Sequence, residues 1–150
     1  MPEQPRIETI PAWRSAGIRR VVPMSEISSA FDTTFPAVAE AIAVAGGQLL
    51  PPAYARYTGM PTDTVDVEIG FGVQQPVEAP ELVVTDNPAV RAVVYTHIGP
   101  YERLAESYAV VEEWFATQDL GLADAMWEFY DSPPGTDPEK SVTRMVFPLA

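Results

Sequence analysis

The segment Met126–Asp131 places a carboxylate, Glu128, in the middle of a strand-like run of large apolar side chains. Burying a carboxylate costs free energy unless hydrogen bonds or a counter-charge compensate it. In one interpretation Glu128 points to water, while Trp127 and Phe129 point inward. In the other, Glu128 and Tyr130 face a cavity with aromatic walls. Such a cavity suits a cationic ligand, because ring faces add a cation–π attraction of ~0.5–2 kcal/mol. The alternation of side chains alone slightly favours the exposed position.

A second cluster of polar and aromatic side chains lies in the segment 95–101. Tyr95 and His97 share one face of a predicted strand, and Gly99-Pro100 marks the turn that follows. An imidazole can exchange a proton near neutral pH, but a single histidine is more often hydrogen-bonded than catalytic. The sequence contains no nucleophile elbow, phosphate-binding loop or dinucleotide fingerprint.

Composition excludes several classes of site. The 150 residues include no cysteine and one histidine, so disulfides, thiolate nucleophiles and multi-histidine metal sites are excluded. A formal net charge of −12 repels phosphate backbones. No signal-peptide pattern or apolar run of bilayer length occurs. We therefore expect a cytoplasmic protein with no metal, no cofactor, no membrane contact and no direct nucleic-acid contact, and with no separate DNA-binding segment.

The elements that must position these residues recur at a shift of 77 residues. The repeated positions are Pro11, Arg14 and Pro23 with Pro88, Arg91 and Pro100. Apolar helical stripes follow at matching positions, with Ile27, Phe31 and Val38 in the first copy and Leu104, Tyr108 and Phe115 in the second. Both copies therefore predict a strand, at 13–22 in the first copy and at 90–98 in the second, followed by a helix.

Further strands are predicted after each helix, at 53–58 and 64–73 in the first copy and at 124–131 and 142–149 in the second. An additional strand is predicted at 81–85. Pro36 lies inside the first helical pattern, so we expect a kink or a restart there. Gly46-Gly47 and Gly121 are predicted to end the two helices as left-handed caps.

The resulting prediction is one α+β domain over residues 1–150. It is a tandem duplication of a strand-helix-strand-strand module, forming an antiparallel sheet with two main helices around a central groove. The first pseudo-repeat covers about 5–75, the linker about 76–80 and the second pseudo-repeat about 81–150. A junction of this kind favours small-ligand binding.

The sequence also resembles a known family. The matching segments are 53–57 and 65–71 in the first copy, and 97–102, 127–133 and 143–149 in the second. Their order resembles the GyrI-like effector-binding domain family over nearly the whole chain. The resemblance implies tandem strand-helix-strand-strand modules around a groove that takes small molecules, and this chain would be a stand-alone member.

The family's pocket glutamate lies in the penultimate strand, which the resemblance matches to Glu128. This match favours the cavity position for Glu128 over the exposed one. The candidate ligand-binding residues are Glu128, Trp127, Tyr130, Tyr95, Tyr57, His97, Phe147 and Tyr101. Neighbours on a strand alternate faces, so Trp127 can share a pocket with Glu128 only where the strand is irregular or the pocket wraps its edge.

The resemblance implies three functions. Members fused to DNA-binding segments sense hydrophobic, often cationic, drugs, so the leading prediction is drug sensing or sequestration in a groove with a central glutamate. Other members hydrolyse cyclopropane-bearing DNA-alkylating compounds. In that alternative Glu128 would be catalytic, activating a water, and Tyr95, Tyr130 or His97 would support the developing phenolate. A gyrase-inhibitor-type protein interaction is the third.

Overall fold

The computed structural model describes residues 4–59, 62–132 and 135–150. The predicted loop positions Met60, Pro61, Pro133 and Pro134, and residues 1–3, lie outside these ranges. The strands are β1 (Arg6–Ile10), β2 (Trp13–Pro23), β3 (Leu49–Thr58), β4 (Thr64–Val73), β5 (Val83–Asn87), β6 (Val90–Ile98), β7 (Ala125–Tyr130) and β8 (Val142–Pro148). The helices are α1 (Ile27–Val44) and α2 (Leu104–Phe115), and short 3-10 turns precede them at Met24–Glu26 and Tyr101–Arg103.

The strands form one antiparallel sheet in the order β1-β6-β8-β7-β3-β4-β2-β5. In the second half of the chain, β5, β6 and α2 begin 77 residues after β1, β2 and α1. With β7 and β8 as the counterparts of β3 and β4, the order reads the same from either edge. A tandem duplication would produce this regularity, and the duplication remains a prediction from the sequence.

The sheet is curled. β1 and β2 stand six places apart in the sheet order, which would be about 29 Å in a flat sheet. Only Pro11 and Ala12 join them, and three Cα steps reach about 11 Å. The sheet must therefore bend until its two ends approach each other.

The curl gives the sheet two different faces. On the concave face, Trp13 packs against Tyr54, Trp127 and Phe129, with ring centroids 5.2, 6.0 and 5.3 Å away. The helices cover the other face, where α1 packs over β2, β3 and β4 and α2 over β6, β7 and β8. The interior therefore consists of one aromatic core inside the curl and further cores beneath the helices.

Three sequence predictions about elements need correction. Helix α1 runs through Pro36 without restarting, and both Pro36 and Asp32 are exposed, so water can satisfy the carbonyl that the proline leaves unbonded. Gly121 does not cap α2, which already ends at Phe115. The additional strand lies at Val83–Asn87, two residues later than predicted.

Two other features match or extend the predictions. Gly46, with φ of 77°, adopts the left-handed conformation expected after α1. Strand β1, which was not predicted from the sequence, pairs with β6 of the other half. Among the described residues, no helix is long and apolar enough to cross a membrane.

Candidate functional site

Glu128 is held at the centre of the sheet. Its strand, β7, lies between β3 and β8, and Glu128 is paired with Ala55 on one side and Met145 on the other. Because Trp127 and Phe129 point to the concave face, Glu128 points to the face that carries the helices. Its side chain is 2% exposed, so Glu128 is buried and does not point to water.

Four tyrosine hydroxyls donate hydrogen bonds to this carboxylate. Tyr108 donates to Oε2 at 2.5 Å, and Tyr130 donates to Oε1 at 2.7 Å. Tyr101 and Tyr57 donate to Oε1 over the longer distances of 3.4 and 3.5 Å. Two short and two long hydrogen bonds therefore replace the water that Glu128 loses on burial.

Burial raises the pKa of Glu128 above its usual value, and the tyrosine hydrogen bonds oppose this rise by stabilising the ionised form. Burial and the charge of Glu128 also raise the pKa of Tyr101 to about 12. The same two causes raise the pKa values of Tyr57, Tyr108 and Tyr130. All four phenols therefore remain protonated donors at neutral pH.

Helix α1 supplies the second wall of the site. The Phe31 ring lies 6.3 Å from Tyr130 and 6.3 Å from Tyr101 in edge-to-face arrangements. The Phe35 ring lies 6.1 Å from Tyr130. Aromatic rings from α1, from α2 and the turn before it, and from the sheet thus enclose one carboxylate. The residues of this cluster, which we call the Glu128 site, are Glu128, Tyr57, Tyr101, Tyr108, Tyr130, Phe31 and Phe35.

Four of the predicted site residues do not reach Glu128. Trp127 lies on the concave face, because β7 is regular there and neighbouring side chains alternate. His97 Nδ1 is 2.7 Å from Ser107 Oγ and Nε2 is 3.0 Å from the Pro100 carbonyl oxygen, so this imidazole joins β6 to the start of α2. Tyr95 packs beneath α2 with Leu104, Val111 and Met145.

Phe147 forms a neighbouring layer. Its ring is 6.4 Å from Tyr108 and 5.3 Å from Phe115. Phe147 therefore packs against the Tyr108 ring, whose hydroxyl is bonded to Glu128, and has no polar side-chain atom of its own to bind the carboxylate.

Three members of the Glu128 site were not predicted from the sequence: Tyr108, Phe31 and Phe35. Tyr108 and Phe31 were predicted only as parts of apolar helical stripes, which is where they lie. The available signal was the Tyr108 hydroxyl, because a tyrosine on a buried helix face needs a hydrogen-bond partner.

The site offers one negative charge inside an aromatic enclosure, and no described ion pair involves Glu128. Such an arrangement can stabilise a cation, or can accept a proton from a bound water or ligand. Within the described ranges, no group of three or more His, Cys, Asp or Glu side chains could hold a metal ion.

Comparison with known proteins gives one family match. The sequence model of the family described as the GyrI-like small molecule binding domain matches residues 3–150. Comparison with curated proteins gave no significant match.

The fold resembles several solved structures. EcmrR in a DNA complex superposes with a TM-score of 0.82 at 24% identity, covering 97% of this chain and 57% of that one. This chain therefore spans little more than half of the EcmrR chain. The isolated EcmrR C-terminal domain gives 0.81 at 23% identity, with 98% and 97% of the two chains covered.

Two further structures share the fold at lower identity. SAV2435 bound to tetraphenylphosphonium gives a TM-score of 0.69 at 11% identity, covering 99% of this chain and 94% of that one. A hydrolase encoded by lin2189 from Listeria innocua gives 0.63 at 15% identity, covering 99% and 93%. These likenesses concern the fold.

Proposed function

This chain belongs to the GyrI-like small molecule binding domain family, and on that premise we propose that it binds small aromatic cations at the Glu128 site. The observation that carries the proposal is a carboxylate, 2% exposed, whose described hydrogen-bond partners are all tyrosine hydroxyls. A buried carboxylate without a basic partner is costly. A lipophilic cation would supply the missing counter-charge and would stack on the surrounding rings.

Entry of such a ligand requires part of the enclosure to move. Tyr101 is the suitable part, since its side chain is 43% exposed and its hydrogen bond to Glu128 is 3.4 Å long. It lies on the short turn before α2, and its ring contacts Phe31 and Tyr130 edge to face. Displacing Tyr101 would open the carboxylate while Tyr108 and Tyr130 still hold it in place.

Tetraphenylphosphonium is a suitable probe, because it is a permanent aromatic cation and is bound by SAV2435, which shares the fold. We expect Glu128→Gln to weaken its binding by about tenfold or more, the equivalent of 1.4 kcal/mol. Glu113→Gln, which changes an exposed glutamate on α2, should leave the affinity unchanged. Isothermal titration calorimetry gives both dissociation constants.

The pH dependence provides a second test. Because the pKa of Glu128 is raised, the ionised form that attracts a cation increases as the pH rises through that value. Wild-type affinity for tetraphenylphosphonium should rise with pH, and the affinity of Glu128→Gln should not. Equal affinity of wild type and Glu128→Gln at every pH would exclude Glu128 as the counter-charge.

A second candidate is the hydrolysis of cyclopropane-bearing alkylating compounds. It is supported by the same carboxyl, because a glutamate with a raised pKa is a stronger base toward water, and the nearby phenols can donate to a developing oxyanion. Incubation with such a compound, followed by mass spectrometry, should then give the ring-opened product with one water added. If wild type gives no product, or Glu128→Gln gives as much, the site only binds.

A further inference from the structure

A cavity lies on the opposite side of the sheet from Glu128. Its volume is about 600 Å³, within the range of ligand pockets. It opens where the β1–β2 link, the start of β3 and the end of β5 meet at the mouth of the curl. Trp13, Phe129, Arg14 and Arg144 are among the residues that line it.

The aromatic part of the cavity wall belongs to the concave core. The Trp13 and Phe129 rings lie 5.3 Å apart, edge to face. The Arg144 guanidinium lies over the Phe129 ring, 4.8 Å from its centroid. Phe129 is 3% exposed, so Trp13 and the Arg144 guanidinium present the accessible planes, and both can stack on an aromatic ligand.

The polar groups of this wall include the Arg144 guanidinium, whereas the Glu128 site holds a carboxylate. Arg144 donates to Asp131 through Nε at 2.8 Å and Nη2 at 3.1 Å. Among the described residues, none accepts a hydrogen bond from Arg144 Nη1, so this guanidinium retains a donor for a ligand. Arg14 follows Trp13 on β2 and projects from the other face of the strand, where it donates to Asp86 at 2.7 Å and to the Gln74 carbonyl at 3.0 Å.

We propose that this cavity is a second binding site and that it takes a small planar aromatic carboxylate. The ring lies against Trp13 and the Arg144 guanidinium plane, and the carboxylate accepts a hydrogen bond from Arg144. The Asp131 partner holds this guanidinium in place and weakens its attraction for the anion. The site is independent of the proposed cation binding, because Phe129 and Glu128 project from opposite faces of β7.

The probe is 2-naphthoate, with neutral 2-naphthamide as its matched control, titrated calorimetrically and by tryptophan fluorescence. Wild type should bind 2-naphthoate more tightly than 2-naphthamide. Arg144→Gln should weaken 2-naphthoate by about tenfold or more and 2-naphthamide little. Arg103→Gln, which breaks an exposed ion pair with Glu139 beside α2, should change neither.

Asp131→Asn distinguishes a binding role of Arg144 from a structural one. Removing the carboxylate that neutralises Arg144 should strengthen 2-naphthoate binding several-fold, whereas loss of a purely structural ion pair would give no gain. Circular dichroism verifies that each variant is folded.

Three results would overturn the proposal. They are no binding of 2-naphthoate to wild type, unchanged binding in Arg144→Gln, and competition by tetraphenylphosphonium with loss of binding in Glu128→Gln. The last result would assign naphthoate to the Glu128 site. Failure of tetraphenylphosphonium to bind would leave this second site unaffected.

Discussion

At the scale of single residues, the Glu128 site balances burial against hydrogen bonding. Aromatic rings exclude water from the carboxylate, and four phenols replace part of the hydrogen bonding that water would supply. The pKa of Glu128 stays raised because burial outweighs those hydrogen bonds. A site of this kind favours binding over stability, since a charge without a basic partner destabilises the ligand-free protein.

This balance predicts the pH dependence of stability. A carboxyl with a raised pKa in the folded state contributes stability that is fully present below its unfolded value of 4.5 and is lost as the pH rises through the folded value. Glu128→Gln cannot ionise and should not lose it. The free energy of unfolding of wild type should therefore fall relative to that of Glu128→Gln as the pH rises from about 4 to 8.

Urea denaturation at several pH values measures this difference. Glu113→Gln is the control, because its side chain is in water in both states. A difference in the free energy of unfolding between wild type and Glu128→Gln that stays constant over the whole pH range would contradict a raised pKa of Glu128.

At the scale of elements, periodicity predicted what local patterns determine. Strand β6 was predicted at its observed bounds, and the stripe Leu104, Tyr108 and Phe115 correctly marked the buried face of α2. The alternation rule separated Trp127 from Glu128, whereas the family resemblance grouped them, and the regular strand follows the alternation rule. Register between distant strands could not be predicted, because it depends on packing across the curl.

The assembly of the Glu128 site was unpredictable for the same reason. Phe31 and Tyr108 come from helices in different halves of the chain, and no spacing within either half indicates that both approach one carboxylate. Pro36 shows a different limit. Its helix-breaking tendency is real, but packing of Val38, Ala41 and Ile42 keeps α1 continuous beyond it.

Pro36→Ala should therefore stabilise the protein. Proline inside a helix is about 3 kcal/mol less favourable than alanine. Alanine also gives the unfolded chain more conformational freedom, and this offsets part of the gain. We expect an increase of roughly 1–3 kcal/mol in the free energy of unfolding. Denaturant titration measures it, with the exposed turn variant Pro80→Ala as the control that should give no gain. A loss of stability in Pro36→Ala would indicate that α1 depends on a bend at this position.

At the scale of the whole molecule, the curled sheet separates two environments. The helix-covered face holds the Glu128 carboxylate among rings, and the concave face presents the Arg144 guanidinium beside rings at its mouth. Because the two faces belong to the same strands, Glu128 and Phe129 reach them through neighbouring positions on β7. One sheet can therefore offer two chemically different surroundings without a second domain.

The net charge of −12 acts on both sites from a distance, and it predicts how ligands arrive. The acidic surface should attract tetraphenylphosphonium, and salt should weaken that attraction as the screening length falls from about 30 Å at 0.01 M to about 3 Å at 1 M. The association rate constant should therefore fall several-fold over this range, while the dissociation rate constant changes little because the bound cation is enclosed. Stopped-flow fluorescence measures both, with neutral triphenylphosphine oxide as the control that should show no such fall. An association rate that does not change with salt would mean that the acidic residues do not steer cations to the Glu128 site.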